Sequence, residues 1–314
     1  MPSHITEATA FAPASVGNVA VGFDIMGLAL DGAGDHVTVR RVAQPGVRLI
    51  ATRGVAGALP TDPHANCATA GLIALIDALG LAWGVEVEVD KGIAMGSGMG
   101  GSAASAAGAV VAMSALLDQP LSNADLLRFA LVGEQVASGS AHADNLAPCL
   151  FGGLQLVMGR DPVRTRRLPT PAGLVCVLVH PHMSLETRRA RAALERPWTL
   201  AEFVAQSERL AGFITACHQG DPGLLAQSLE DVLVEPHRAP LIPGFEAVKR
   251  AALDAGALGA SISGAGPSVF AWCEAAHAEA ARDAMRAAFG DAGLDSDCLI
   301  SPLDAPGARV VATR

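Results

Sequence analysis

The residues best suited to chemistry stand in one run, Gly96-Ser97-Gly98-Met99-Gly100-Gly101-Ser102-Ala103-Ala104-Ser105. Four glycines within six residues strip the side chains from a turn, and small residues then open an expected helix. The Val-containing run from Val85 to Val89, just upstream, reads as a strand. Strand, glycine turn and helix N-terminus together aim main-chain N–H groups and a positive dipole end at an anion. Phosphate is the anion most often held this way, so the segment points to a nucleotide.

Three kinds of phosphate loop compete for that reading. A Walker A loop needs a lysine directly after its last glycine to neutralise the β and γ phosphates. The chain has only Lys91 and Lys249, and neither follows a glycine. Gly96, Gly98 and Gly101 match the spacing G-x-G-x-x-G literally. That fingerprint, however, requires a return to a parallel strand after the first helix. Here a second helix is expected instead, because Ser102–Leu117 and Asn123–Ala137 both carry helical patterning across Asp118-Gln119-Pro120, with Ser122 as an N-cap.

The elements around this loop fall into two groups. The first hundred residues are strand-rich, with strands expected at Glu7–Ala12, Asp35–Val42, Val47–Ala51 and Val85–Val89 and one helix at Asn66–Leu79. After the helix pair come a polar turn over Ser138–Asn145 and a hairpin at Phe151-Gly152-Gly153. The stretch Gly159–Gly173 holds three prolines and four arginines and reads as a surface connector, giving domains of 1–165 and 166–314. Beyond it strands are expected at Leu174–His180, Ala260–Ser263, Ser268–Cys273 and Asp297–Ser301. Helices are expected at Leu200–His218, Pro222–Val232, Gly244–Ala255 and Ala275–Phe289. That order is close to a split βαβ, ferredoxin-like sandwich.

Composition narrows the function classes. The 314 residues are 51% hydrophobic and 17% charged, with a net charge of −9. Such a balance offers nucleic acid no cationic face. The apolar run Ala103–Leu117 is shorter than a membrane span needs, and the first twelve residues lack the basic start of a secretory signal. The six cysteines form no Cys-x-x-Cys pair, which argues against zinc and redox motifs and fits small buried hydrophobes in a reducing cytoplasm. His180 and His182 lack an evident third ligand and read as strand-end histidines.

The third kind of loop brings a resemblance. Ala94 to Ala104 is similar to the central motif of the GHMP kinases (galactokinase, homoserine, mevalonate and phosphomevalonate kinases), Pro-x-x-x-Gly-Leu-Gly-Ser-Ser-Ala-Ala. Ala94, Met99 and Gly101 depart from it, which leaves Ser102 as the metal-facing serine. Ala12 to Leu30, containing Pro13-Ala14-Ser15-Val16-Gly17-Asn18 and Gly22-Phe23-Asp24, resembles the first family motif, with Ala20 where glycine is usual. Gly259 to Ser268 resembles the third. Within the family, three segments resemble the homoserine kinase branch: His142-Ala143-Asp144-Asn145-Leu146-Ala147-Pro148, Thr187-Arg188-Arg189-Ala190-Arg191, and Glu235-Pro236-His237-Arg238 with Leu241-Ile242-Pro243-Gly244-Phe245.

The resemblance implies an α+β, two-domain GHMP kinase fold, with an N-terminal ribosomal-protein-S5-like domain and a C-terminal ferredoxin-like α/β sandwich. It implies ATP-dependent phosphorylation of L-homoserine with Mg²⁺. Nucleotide contacts are expected from Asn66, Gly96, Ser97, Gly98, Met99, Gly100, Gly101, Ser102, Ala103 and Gly264, and metal contacts from Ser102 and Glu134. The substrate pocket is expected to comprise Asn18, Asp24, His142, Asn145, Thr187, Arg191 and Arg238, with Asp24 as partner of the α-ammonium group. Asn145, Asp144, Glu134 and Ser102 are the expected catalytic residues. Two planar guanidinium forks, Arg191 and Arg238, suit an α-carboxylate. Lys91 is left with two roles, helping the phosphates or capping its strand. Other small alcohols, or a non-catalytic ligand sensor, are the rival readings. Family members are often dimers, so a homodimer in the cytoplasm is expected by analogy, with no nucleic acid or membrane partner.

Overall fold

The computed structural model describes residues 4–55, 59–138 and 142–314. Strands β1 (Glu7–Gly17), β2 (Met26–Val42) and β3 (Val47–Gly54) open the chain, followed by α1 (Cys67–Leu79), β4 (Gly84–Lys91), α2 (Gly101–Ala115), α3 (Asn123–Ser138) and α4 (Ala143–Phe151). The hairpin β5 (Leu154–Met158) and β6 (Arg164–Leu168) closes this first part. Strands β1 and β2 run well past the segments expected for them, and the extensions, Pro13–Gly17 and Met26–Gly34, are rich in Ala and Gly and lack a polar and apolar alternation that would announce a strand. These extensions carry the first motif, and the turn between them holds Asn18 to Ile25.

Among the described residues the first sheet has seven strands. Its main path runs from the terminal strand β11 (Arg309–Thr313) through β1, β2 and β4 to β3, and β5 and β6 continue from β2. Only β3 and β4 run parallel. α2 lies against β1 and β2 and is buried along most of its length, because apart from Met113 its residues are Ala, Gly, Ser and Val. Small side chains allow this close approach: a Cβ on Gly108 would lie 2.8 Å from Val37 Cγ2. α1, α3 and α4 surround α2.

The second part begins with β7 (Leu174–Pro181) and α5 (Thr187–Ala192). It continues through α6 (Leu200–Gln219), α7 (Pro222–Ser228), α8 (Glu235–Arg238), α9 (Phe245–Asp254), β8 (Ala257–Ile262), β9 (Val269–Glu274), α10 (Ala278–Asp291) and β10 (Ser296–Pro302). Its antiparallel sheet has the order β10-β7-β9-β8, the expected ferredoxin-like arrangement. Alternate side chains leave each face. Val177, Val179, Ala260 and Ala271 meet α9 and α10. Cys176, Leu178, Phe270 and Trp272 join Phe213 and Leu225 in a core continuous with the first sheet.

Four local expectations are corrected. The turn Ser138–Asn145 is helical from Ala143 onward (residues 139–141 lie outside the described residues), and Phe151-Gly152-Gly153 is the end of α4 entering β5 rather than a hairpin. The connector Gly159–Gly173 contains β6, so the division at 165/166 falls inside a strand of the first sheet, to which β11 also returns. The helix begun at Pro222 stops at Ser228, where Leu229 turns to ψ 60°, and residues 229–234 form a separate turn.

Candidate functional site

Six successive carbonyls of the glycine loop are held from behind. Gly96 O accepts from Leu185 N at 3.0 Å, Ser97 O from Ser268 Oγ at 2.6 Å, and Gly98 O from Ser263 Oγ at 2.7 Å. Met99 O accepts from Ser15 N at 3.0 Å, Gly100 O from Ala104 N at 2.9 Å, and Gly101 O from Lys91 Nζ at 2.6 Å. With its carbonyls drawn back into the scaffold, the loop has its N–H groups left for a ligand, apart from that of Met99, which donates to Ser97 Oγ at 3.3 Å. Gly96, Gly98 and Gly100 have φ of 66°, 76° and 68°, the left-handed region that glycine reaches without a Cβ penalty. A Cβ on Gly98 would stand 2.5 Å from Ser263 O and 2.6 Å from Gly266 O, so the third motif packs against the loop itself.

α2 begins at this loop with no side-chain cap and no acidic residue in its first turn. The N–H groups of that turn have no partner within the helix and suit an anion. The side chains of Met99 and Ala103, both expected at the nucleotide, go instead to the core, and of their main-chain N–H groups that of Met99 is held by Ser97 Oγ, which leaves that of Ala103 to a ligand.

Lys91 is not available either. Its ammonium pairs with buried Asp35 and donates to Gly101 O and to Ser105 Oγ at 3.0 Å, which uses all three of its donors. It is a strut beneath the loop, and the phosphate role considered for it is set aside.

A cleft of about 870 Å³ runs from Pro60 and Asn66 along the loop to Arg238. Asn66 caps α1 by accepting from Ala68 N at 2.9 Å. Ser102 and Glu134 both line the cleft, and Glu134 is buried. Glu134 is carried there by a close helix crossing: a Cβ on neighbouring Gly133 would lie 2.2 Å from Cys67 O. A carboxylate and a hydroxyl beside a phosphate loop are hard oxygen donors of the kind Mg²⁺ takes.

At the other end, α4 brings Asp144 and Asn145 against the first motif. The approach depends on glycine, since a Cβ on Gly27 would lie 1.7 Å from Asp144 O and one on Gly17 2.6 Å from Asn145 Nδ2. Asn145 Oδ1 accepts from Ser15 Oγ at 3.0 Å. Asn18 donates from Nδ2 to Gly264 O at 2.8 Å and accepts the N–H of Asp24 at 3.0 Å. Arg238 is buried, and it donates through Nε to Ala190 O at 3.2 Å and through Nη1 to Gly264 O at 2.9 Å. Thr187 starts α5 at the cleft wall.

The ammonium partner expected at Asp24 is already engaged. Arg191 Nη2 donates to Asp24 Oδ1 at 2.7 Å and to His142 Nδ1 at 2.9 Å. Burial first, then Arg191, lowers the His142 pKa, consistent with a neutral ring that accepts at Nδ1. Burial pushes the Asp144 carboxyl up to about 7, and the negative Asp24 adds to the rise. Ligand atoms of Asp24, His142 and Asp144 lie within 4.8 Å of one another, but Arg191 supplies the positive charge there. Two buried polar atoms of this pocket, Asp144 Oδ1 and Arg191 Nε, have no hydrogen-bond partner among the described residues. One is an acceptor and the other a donor.

His180 and His182 are placed as strand-end residues. His180 Nδ1 lies 3.1 Å from Ser268 Oγ and His182 Nε2 lies 3.0 Å from Asp297. Ser268 gives its proton to Ser97 O, so His180 Nδ1 is the donor in that pair. Sequence reasoning missed the Asp35–Lys91 strut, whose members are far apart in the chain, and Ser263 and Ser268, which tie the third motif to the loop.

Comparison with known proteins agrees with this geometry. The family GHMP kinases N terminal domain matches residues 66–153, and GHMP kinases C terminal matches residues 213–291. A homoserine kinase of Xanthomonas campestris pv. campestris is 55% identical over 309 residues, covering 98% of this chain and 95% of the relative. One from Xylella fastidiosa is 52% identical over 306 residues, covering 97% and 94%. The crystal structure of homoserine kinase from Cytophaga hutchinsonii is 41% identical, superposes with a TM-score of 0.95 and covers 99% of both chains. Mevalonate kinase from L. major, at 16% identity and a TM-score of 0.67, shares the fold. With these similarities running the length of the chain and the three motifs meeting at one cleft, the protein belongs to the GHMP kinase family, in its homoserine kinase branch.

Proposed function

We propose that the chain transfers the γ-phosphoryl group of MgATP to the side-chain hydroxyl of L-homoserine, giving O-phospho-L-homoserine and ADP, as in threonine biosynthesis. One observation carries the choice of acceptor. The pocket beside the phosphate loop offers an orphaned acceptor, Asp144 Oδ1, and an orphaned donor, Arg191 Nε, with Arg238 alongside. That is the complement of an ammonium group and a carboxylate on one small molecule, and a sugar or an isoprenoid alcohol would leave the ammonium acceptor without use.

The main-chain N–H groups from Gly96 to Ser102 would hold the triphosphate, with Ser102 and Glu134 contributing the protein's oxygens to its Mg²⁺. Bound there, the metal would supply charge neutralisation to the triphosphate. Arg191 and Arg238 would fix the substrate carboxylate, and Asp144, with Asp24 behind it, the ammonium group. Asn145, its Oδ1 held by Ser15, would direct its amide N–H toward the acceptor hydroxyl. No strong base is needed early in a loose phosphoryl-transfer transition state, where positioning and charge neutralisation supply most of the rate.

A cytoplasmic setting fits six free cysteines. Among the described residues no helix is long and apolar enough to cross a membrane. Homodimer assembly is part of the same proposal and is tested by sedimentation. The test of function is ADP release coupled to a panel of alcohols: L-homoserine, mevalonate, galactose and a diphosphocytidyl polyol. Turnover with L-homoserine alone is the expected result. Preference for another alcohol refutes the acceptor, and binding without ADP release favours the sensor.

A further inference from the structure

The turn at residues 229–234, which follows α7, carries a buried acid that touches no part of the cleft. Asp231 is 6% exposed. Its Oδ1 accepts from Leu233 N at 2.9 Å and Val234 N at 2.8 Å, and its Oδ2 accepts from Glu235 N at 2.9 Å. It therefore caps α8, the single turn that ends in Arg238. The same turn is anchored to the first motif, since Gln206 accepts from Val232 N at 3.1 Å and donates to Val21 O at 3.3 Å.

Between Asp231 and the first motif lies a small chamber of about 10 Å³, bordered by Asp231, Glu235, Arg238, Ser261, Asn18 and Gly264. It has room for about one water molecule. Two acids border it, and their charges are spent differently. Glu235 is paired with Lys249. Among the described residues Asp231 accepts from main-chain N–H groups alone; burial raises its pKa, and those N–H groups and the neighbouring buried cation Arg238 oppose the rise. Burial and then Arg191 lower the pKa of that guanidinium to about 10, which leaves it charged at neutral pH, and Asp24, Asp231 and Asp144 attract that charge.

We infer that Asp231 is a positioning residue for substrate selection: it fixes α8 and faces Arg238 from the side opposite the cleft, so that the guanidinium stays turned to the substrate carboxylate. This rests on the reading of Arg238 as a carboxylate ligand. It assigns Asp231 no contact with substrate.

The test compares kcat/KM for L-homoserine with that for 3-aminopropan-1-ol, which keeps the hydroxyl and ammonium groups and lacks the carboxylate. Asp231→Asn retains one capping acceptor and removes the charge. The preference for homoserine should fall about tenfold, through KM, with the rate on the aminoalcohol changed less than about twofold. Asp231→Ser, which keeps a capping hydroxyl, should behave alike, and decides the matter if the Asn variant folds poorly. Equal losses on both substrates, as a merely structural residue would give, overturn the inference, and so does an unchanged preference. Arg238→Ala separates the two levels. If it leaves the preference intact, the carboxylate reading itself fails. If it abolishes the preference while both Asp231 variants keep it, only the role of Asp231 fails.

Discussion

Replacing Lys91 by methionine distinguishes a main-chain phosphate grip from a lysine-based one. Lys91 is 4% exposed, and its partner Asp35 is fully buried. Without the ammonium, Asp35 keeps three neutral donors: Ser105 Oγ at 2.7 Å, Gly92 N at 3.1 Å and Ile93 N at 3.3 Å. Breaking a buried ion pair by removing one partner costs about 3–5 kcal/mol. The three surviving donors put the expectation at the lower end, about 3 kcal/mol, and at this chain length that lowers Tm by roughly 5 °C. Asp35→Asn together with Lys91→Met should recover at least about half the loss, because the stranded charge is gone. The loop itself loses one bond, at Gly101 O, worth about 1 kcal/mol, so KM for ATP should rise no more than about fivefold. Thermal melts and ADP-release kinetics on both variants measure the two effects. A Lys91→Met protein of near-normal stability whose KM for ATP rises about a hundredfold would refute the reasoning and return the lysine to the phosphates.

Arg238→Ala should raise the KM for L-homoserine about a hundredfold with kcat altered only a few-fold, as read in the same kinetic assay. Glu134→Gln should lower kcat by about a hundredfold or more and raise the Mg²⁺ concentration needed for half-maximal rate, while the melting profile stays close to that of the parent. The folded-state pKa of Asp144, about 7, lies above the ordinary carboxylate value, so its contribution to stability is full below that ordinary range and is lost as pH rises through about 7. An Asp144→Asn variant should lack this downward slope in melts between about pH 4 and pH 8. Because a charged Asp144 is what receives an ammonium group, homoserine affinity should weaken about tenfold per pH unit below about 7, measured by calorimetry; a flat profile contradicts the assignment.

The sequence made the phosphate loop legible because three signals coincide there: glycines at left-handed positions, a strand before them and a long small-residue helix after. The ferredoxin-like order was legible because β7 and β9 are short apolar runs and α9 and α10 are amphipathic helices. α4 was hidden because Asp144, Asn145 and Pro148 favour turns in isolation, and only its packing on Gly17 and Gly27 makes it a helix. β6 was hidden by three arginines in five residues on an edge strand, and β11 by the exposure of all its residues. Within the site, residue types were readable but pairings were not. Arg191 and Asp24 lie 167 residues apart, and nothing local indicates that one would satisfy the other. The same holds for Lys91 and Asp35, and for Asp231, which stood inside an expected helix until Leu229 broke it.

A crystal structure with a non-hydrolysable ATP analogue, Mg²⁺ and L-homoserine tests most directly whether main-chain amides hold the nucleotide beside a zwitterion pocket. The expected result has the β and γ phosphates on the N–H groups of Gly96 to Ser102, Lys91 still bound to Asp35, and the amino acid with its carboxylate on Arg191 and Arg238 and its hydroxyl facing the γ phosphate. Phosphates bound elsewhere, or a homoserine lying with its carboxylate away from both arginines, would contradict it.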